Sequence, residues 1–261
     1  DIELLKNFLA NGYPVLIEKG YYENDYTGKN TWMGHFLFVT GYDEAEDVFI
    51  VQDAYLEPGQ DLRVPYEEFI NGWRSFNYLF MLVYPPEDEA SILELLGPWA
   101  DPDWANRRAL DIANIEIGTQ TDIDLFFAWF NKGTSHVQLY EYVDAAFAYD
   151  YAFVLYAGLG ESGEAETIET RRPYRMMWYQ TGPYWAYYYS GRYQDVIDLA
   201  DTTLYETISE PTLEESLYWR ALARLAIGET GNAVEDLQQT IYLNPNFAPG
   251  RDKLAELGVT P

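Results

Sequence analysis

The sequence contains no cysteine. This absence excludes a disulfide framework, thiolate metal ligands and a cysteine nucleophile within these residues, and it leaves the cellular compartment open. The sequence also has no glycine-rich phosphate loop, no serine-elbow motif and no pair of histidines at metal-binding spacing, which argues against nucleotide, esterase and zinc chemistry. We therefore expect neither a cofactor nor a metal.

Basic residues are scarce. Sixteen Lys and Arg stand against 43 Asp and Glu, which gives a formal net charge of -27. Such a charge repels phosphate backbones and anionic lipid headgroups, so we expect no binding to nucleic acid. No apolar run approaches the roughly 20 residues of a membrane helix, and the opening residues DIELLKNFLANG lack the basic start of a secretion signal. The sequence therefore predicts no membrane insertion by this chain.

A change of composition divides the chain. With 261 residues and 48% hydrophobic content, the chain is long enough for two domains. Before Pro85-Pro86 the sequence has both helical and strand patterns, and after it alanines and aromatics recur at helical intervals. We predict an α+β domain over residues 1–86 and an all-α domain over residues 87–261.

The first domain has alternating helix and strand signals. Its predicted elements are a helix at Ile2–Ala10, strands at Pro14–Glu18, Phe36–Thr40, Val48–Gln52 and Tyr78–Tyr84, a helix starting at Pro65, and an exposed loop at Gly20–Thr31. The second and third strands form a hairpin across an acidic turn, DEAED. The carboxylates of that turn are a candidate cation site, but they lack the alternating ligands and central glycine of an EF-hand loop, so a solvated hairpin tip is favoured.

The second domain contains internal repeats. Residues Glu214–Phe247 resemble a tetratricopeptide repeat, in which small Ala221 and Ala233 let paired helices approach, Gly228 permits a left-handed exit, and Pro245 ends the second helix. A second copy begins near Phe126. A third includes YYYSGRYQDVIDLADTTL and is expected to be irregular or kinked because of Pro183. A preceding helix is predicted over Trp104–Ile117.

His35 is the candidate catalytic base. It opens a predicted strand, and Asp53 ends the strand that pairs with it, so the hairpin brings the two side chains together. A general base needs an acceptor on its other ring nitrogen to fix the tautomer and stabilise the imidazolium, and a carboxylate does this. The alternative is a histidine at a strand edge bonded to a backbone carbonyl, with Asp53 capping the next turn.

Five segments follow one another in the first domain: PVLIE, GHFLFVTGYD, VFIVQD, a helix ending in Trp73 and a last apolar strand. This order resembles the later half of the papain-like cysteine peptidases that process bacteriocin leaders, in a broad bacterial branch with many extracellular relatives. The resemblance implies that His35 is the base and that Asp53 orients it. Ala54 replaces the proline that usually follows the aspartate. The family's nucleophilic cysteine and its oxyanion-hole glutamine lie upstream of the segment seen here.

Two explanations fit the missing nucleophile. Either these residues belong to a longer protein, or the fold has lost its cysteine and serves as a binding scaffold. The abrupt start inside a family-like helix favours the first. In both cases this polypeptide alone is expected not to hydrolyse peptides by a thiolate mechanism. The resemblance, together with the acidic, cysteine-free composition, predicts an extracellular or cell-surface location.

The aromatic content, 24 Tyr and 8 Trp, suggests a binding surface on the helical domain. Some of these rings belong to the repeat core, and others are expected to line a peptide-binding groove. The candidate groove residues are Trp129, Asn131, Tyr184, Tyr187 and Tyr188. The resemblance to tetratricopeptide arrays implies a protein or peptide partner, and the acidic charge favours a basic or neutral one. His136 is predicted to be a packed helix residue, not a ligand.

The sequence thus predicts an α+β papain-like half-domain followed by an all-α tetratricopeptide-repeat array. The leading functional hypothesis is a cysteine-peptidase-like protein whose helical domain binds or positions a protein or peptide partner. The alternative is a non-catalytic scaffold that uses the aromatic groove. A Gln followed closely by a Cys in upstream sequence would favour the enzyme.

Overall fold

A computed structural model describes residues 1–24, 30–160, 172–173, 175–205 and 213–260. An antiparallel sheet with two packed helices comes first, and a helical region follows, as the sequence predicted. The elements of the first region are α1 (Ile2–Ala10), β1 (Val15–Asn24), β2 (Asn30–Asp43), β3 (Val48–Gln52), β4 (Leu62–Pro65), α2 (Tyr66–Arg74) and β5 (Phe80–Leu82). The helices after them are α3 (Glu89–Leu96), α4 (Pro102–Ile117), α5 (Asp122–Gln138), α6 (Tyr142–Gly158), α7 (Gly182–Tyr189), α8 (Tyr193–Tyr205), α9 (Glu214–Ala226), α10 (Thr230–Leu243) and α11 (Ala248–Glu256).

The sheet has the strand order β4-β3-β2-β1-β5, with antiparallel pairing throughout. The predicted hairpin of β2 and β3 is confirmed. The predicted loop over Gly20–Thr31 is wrong for residues 20–24 and 30–31, because β1 and β2 pair as far as Asn24 and Asn30; residues 25–29 lie outside the described part. Gly20 contributes to this extension, since a Cβ there would come within 2.4 Å of the Trp32 ring.

The two faces of the sheet pack against different elements. On one face, helices α1 and α2 cover a core that includes Phe8, Ile17, Val39 and Trp73. Trp32 lies in a second core, where its ring stacks on Phe76 and contacts α5. The sheet therefore contributes a side chain to the core of the helical region.

A buried group of polar residues also joins the sheet region to the helices. The guanidinium of Arg74, at the end of α2, donates from Nε to Glu116 Oε1 of α4 at 2.8 Å, and its Nη1 lies 2.8 Å from Asp124 Oδ1 of α5. The hydroxyl of Tyr78 donates to the same oxygen of Glu116. The backbone carbonyl of Arg74 accepts a hydrogen bond from the Asn131 amide at 2.8 Å.

The helical region consists of neighbouring helices that pack in pairs, with α4, α5 and α6 in sequence and α9 against α10. Gly228 follows α9 with φ +90°, so the predicted left-handed exit is confirmed. Ala221 and Ala233 are both buried between their helices. Pro183 does not kink a helix: it lies in the first turn of the short α7, where a missing N–H costs nothing.

Candidate active site

The hairpin of β2 and β3 brings His35 and Asp53 together. His35 lies on β2, and Asp53 directly follows Gln52, the last residue of β3, which pairs with Phe38. The distance from His35 Nε2 to Asp53 Oδ1 is 2.9 Å. The backbone-carbonyl partner considered for His35 is therefore replaced by a carboxylate.

The loop after β3 fixes the Asp53 carboxylate. Oδ1 also accepts the backbone N–H of Tyr55 at 2.8 Å, and the backbone N–H of Asp53 donates to the carbonyl of Gly59 at 2.8 Å. Only 5% of the Asp53 side chain is exposed. Desolvation acts to raise the pKa of Asp53, but the hydrogen bonds from Tyr55 N–H and His35 outweigh it, and the pKa is lowered. Asp53 thus caps the turn and pairs with His35 at once.

The ionised carboxylate determines which ring nitrogen of His35 carries the proton. A carboxylate without a proton only accepts hydrogen bonds, so Nε2 is the donor in the neutral imidazole, and Nδ1 keeps the lone pair of a base. Nδ1 makes no hydrogen bond to any residue in the described ranges. The pair therefore has the geometry of an oriented general base.

Two aromatic rings flank the imidazole, and the sequence-based reasoning did not identify either of them as part of the site. Tyr21 approaches His35 edge-on at a centroid distance of 5.4 Å, and Tyr55 does so at 5.9 Å. Burial is the largest cause that raises the pKa of Tyr21 to about 12, so its hydroxyl stays neutral beside the histidine. Tyr21 was missed because it was assigned to the supposed loop before β2.

Three of the five predicted groove residues do not face solvent. Asn131, Tyr184 and Tyr187 are buried. The Tyr184 hydroxyl bonds the hydroxyl of Ser216 at 3.0 Å, and Tyr187 donates to Asp150 at 3.0 Å. These residues hold helices together and do not line a groove, which corrects the prediction.

Trp129 and Tyr188, the other two groove candidates, are partly exposed. Trp129 stacks on the exposed Tyr151 at 4.7 Å, and the ammonium of Lys132 lies 5.1 Å from the Trp129 ring. Tyr188 packs edge-on against Tyr193 and Trp219. The structure does not bring these two side chains into one surface with the buried three.

A different apolar surface lies along α6 and the turn before it. Five large exposed side chains occur at spacings of three and four: four lie on one side of the helix, and Tyr140 lies in the preceding turn. We call them the α6 stripe: Tyr140, Val143, Phe147, Tyr151 and Val154. The sequence hid this stripe because α6 is apolar on all sides, so no polar face marked the direction of solvent.

Two clusters of charged side chains, the acidic hairpin turn among them, offer ligand atoms for a cation, but both have protein partners. In the acidic hairpin turn, Arg63 contacts both Asp43 and Glu46 at 2.7 Å. The second cluster lies near the start of α6 and consists of His136, Glu141 and Asp144. Each of these residues offers one ligand atom, and the three atoms lie within 4.8 Å of one another. In this group His136 Nδ1 already bonds Glu141 at 2.7 Å.

The comparisons with known proteins bear on the sheet region. The sequence model of the Peptidase_C39 like family matches residues 1–81, which contain both His35 and Asp53. No curated protein matches the chain, and no solved structure matches it. No helix in the described ranges is long and apolar enough to cross a membrane. Residues 1–81 are therefore a region similar to the C39 peptidases, with a helical region behind it.

Proposed function

We propose that this chain is the base-bearing part of a cysteine-peptidase-like protein. His35 is its general base and Asp53 its positioning residue. The observation that carries the proposal is the 2.9 Å contact of His35 Nε2 with Asp53 Oδ1 inside the family-matched region. The 261 residues contain no cysteine, so the thiol has to come from outside them.

The proposed chemistry passes one proton through Nδ1 of His35 in each of its two stages. Nδ1 takes the thiol proton, the thiolate attacks the peptide carbonyl, and the imidazolium gives the proton to the leaving amine. Water then hydrolyses the thioester: Nδ1 takes a proton from the attacking water and returns it to the departing thiolate, which releases the carboxylic acid and restores the thiol. Asp53 stays ionised and stabilises the imidazolium, which its lowered pKa supports.

The test is made on the protein purified from its native source, by intact mass, N-terminal sequencing and labelling with a thiol-directed peptidase inhibitor. We expect a species heavier than 30.2 kDa that takes up one inhibitor molecule. The 261-residue chain produced alone should take up none. In the longer protein, His35→Ala and Asp53→Ala should each slow labelling at least tenfold. Unchanged labelling in Asp103→Asn, which alters an exposed carboxylate, is the control. A longer protein that is not labelled would refute the proposal.

A second function is supported by the α6 stripe. We propose that the helical region, read as a tetratricopeptide-type array, positions a protein partner through this stripe. An exposed apolar row at helical spacing suits the apolar face of another helix. With a net charge of -27, the chain favours an occupant with basic flanks. An extracellular or cell-surface location, supported only by resemblance and composition, belongs to the same proposal.

A designed helical peptide with leucines at three- and four-residue spacing and lysine flanks serves as the probe. We expect micromolar binding by fluorescence anisotropy, and at least tenfold weaker binding to the double variant Phe147→Ser/Tyr151→Ser. Tyr242→Ser removes an even more exposed ring from α10 and should change nothing. If a glutamate-flanked peptide binds as well, or if the α6 double variant still binds, the stripe is not the docking surface.

A further inference from the structure

A cavity of about 790 Å³ lies where the sheet meets the helices. Glu18 of β1 reaches it from the sheet, residues from α4 to α7 form the opposite wall, and Tyr179 and Gln180 lie between them. His35 does not line this cavity. Successive residues of a strand point to opposite faces, so Phe36, which pairs with Glu18, and His35 lie on different faces of β2. The cavity is therefore separate from the candidate active site.

Glu18 is the one charged side chain among the described residues of the cavity wall. It is half-buried, and no residue in the described ranges gives it a hydrogen bond or an ion pair. Burial raises the pKa of its carboxyl, as expected for a carboxylate that has lost water and found no cation. Gly34 makes room for this arrangement, because a Cβ there would meet Phe76 at 2.8 Å and Glu18 Oε1 at 3.1 Å.

The side-chain amides in the cavity wall favour a ligand that donates hydrogen bonds. The amide NH₂ of Asn106 donates to the carbonyl of Pro102 at 2.8 Å, and that of Gln180 donates to the carbonyl of Ser75 at 2.7 Å. Carbonyl oxygens only accept, so these contacts fix both amide orientations and leave the side-chain oxygens as free acceptors among the described residues. The described residues of the wall therefore present a carboxylate and amide oxygens, and no basic side chain is among them.

Aromatic rings supply the rest of the wall. Tyr142, Tyr179 and Trp185 line it together with Phe76 and Trp99. The faces of such rings attract cations, and a guanidinium stacks on them better than an ammonium does. A volume of about 790 Å³ holds more than one side chain, so the neighbouring backbone of the ligand also fits.

We propose that this cavity binds an arginine side chain of an extended peptide segment, with the guanidinium on the Glu18 carboxylate and against the aromatic wall. Planar guanidinium donors match a carboxylate and two amide acceptors, and the net charge of the chain draws a cationic segment toward it. The site does not depend on the peptidase-like function, since it shares no residue with the pair His35 and Asp53.

The test uses the full chain and two short peptides, acetyl-Gly-Ala-Arg-Ala-Gly-amide and its citrulline counterpart. Citrulline has nearly the shape of arginine but no charge. Titration followed by tryptophan fluorescence and calorimetry should show the arginine peptide binding at least tenfold more tightly than the citrulline peptide. Glu18→Gln should abolish that difference. Glu94→Gln removes an exposed carboxylate of α3 and should leave it intact.

Three results would overturn the proposal. One is equal binding of the two peptides to the wild-type chain, a comparison that needs no variant and does not depend on the folding of Glu18→Gln. Another is a Glu18→Gln protein that keeps its thermal midpoint and still prefers arginine. Binding that survives Glu18→Gln but fails in Trp185→Leu would assign the recognition to the rings alone and would equally refute the role of the carboxylate.

Discussion

Gly59 controls whether Asp53 can face His35. A Cβ on Gly59 would lie 1.7 Å from the carbonyl oxygen of Asp53 and 2.7 Å from that of Leu56, so no other residue fits without moving the backbone. The same glycine carbonyl accepts the Asp53 N–H. The orientation of the carboxylate is thus a property of the tight loop after β3.

Replacing Gly59 by alanine should displace this loop. We expect Gly59→Ala to lower the free energy of unfolding by about 1–3 kcal/mol, as overpacking does. NMR of the His35 ring nitrogens should show a weaker preference for the Nε2–H tautomer than in the wild type. Gly231→Ala is the control, because nothing lies within 4 Å of the added carbon in α10 and the substitution should raise stability by up to about 1 kcal/mol. Equal effects of the two substitutions would contradict this role for Gly59.

The lowered pKa of Asp53 predicts how stability depends on pH. The folded state binds the Asp53 proton more weakly than the unfolded chain, whose aspartate pKa is near 3.9, so the carboxylate stabilises the fold above that pH. This contribution is lost as the pH falls from about 4 toward the folded-state pKa. Urea titrations between pH 6 and pH 3 should therefore show a smaller acid loss for Asp53→Asn than for the wild type. Asp103→Asn should follow the wild type.

Sequence reasoning located His35 and Asp53 because a hairpin brings its strand ends together whatever surrounds it. It could not find Tyr21 or Gly59. Tyr21 joins the site through the strand pairing of residues 20–24, which the loop-like composition of that segment concealed, and the need for glycine at position 59 arises from two backbone carbonyls that only the folded loop brings near. The groove prediction failed for a similar reason: whether Tyr184 points inward depends on its neighbouring helices.

Helix α2 is anchored to α4 and α5 by the charge at its end. Arg74 lies in the last turn of α2, where a cation suits the helix dipole, and Asp124 lies in the first turn of α5, where an anion does. Glu116 lies in the last turn of α4, where the helix dipole disfavours a carboxylate. The guanidinium of Arg74 offsets this unfavourable interaction. Only 6% of the Arg74 side chain is exposed, so its loss leaves Glu116 desolvated without a cation.

We expect Arg74→Met to lower the free energy of unfolding by about 3–5 kcal/mol, because it leaves a buried charge unpaired. Glu116→Gln should cost much less in the Arg74→Met protein than in the wild type, which a double-mutant cycle measures by urea denaturation. Arg63→Met breaks the exposed pairs of the hairpin turn and should cost less than about 1 kcal/mol. Additive effects of Arg74→Met and Glu116→Gln would show that the pair is not coupled.

The elements with local signals were the ones predicted from sequence. Helix α1 and the paired helices α9 and α10 carry their own apolar periodicity and stop signals, and the structure has them where they were expected. Strand β4 was missed, since its four residues become a strand only by pairing with β3. The ends of β1 and β2 were missed likewise, because tyrosine and asparagine beside glycine resemble a loop until the opposite strand is present.

Across the whole molecule, one core crosses from the sheet to the helices. Trp32 of β2 stacks on Phe76 at 5.4 Å and lies 5.7 Å from the ring of Phe127 in α5. All three are buried, together with Phe126 and Phe130. Separating the two regions would expose these rings and the Arg74 charge at the same time. The domain boundary at residues 86 and 87 stays a prediction, and the energetics favour joint unfolding of the regions on its two sides.

We therefore expect a single unfolding transition, with calorimetric and van't Hoff enthalpies equal and with tryptophan fluorescence and helical circular dichroism changing together. Phe127→Ala should lower the free energy of unfolding by about 3–5 kcal/mol and shift both signals equally, because the cavity it leaves opens beside Trp32. Leu254→Ala deletes a buried side chain from the separate small cluster with Ala221, Ala233 and Leu237, so it should loosen α11 before the sheet. If Phe127→Ala melts the helices while the indole NMR signals of Trp32 and Trp73 keep their native positions, the two regions are energetically independent, and the shared core contributes nothing to the stability of the His35 site.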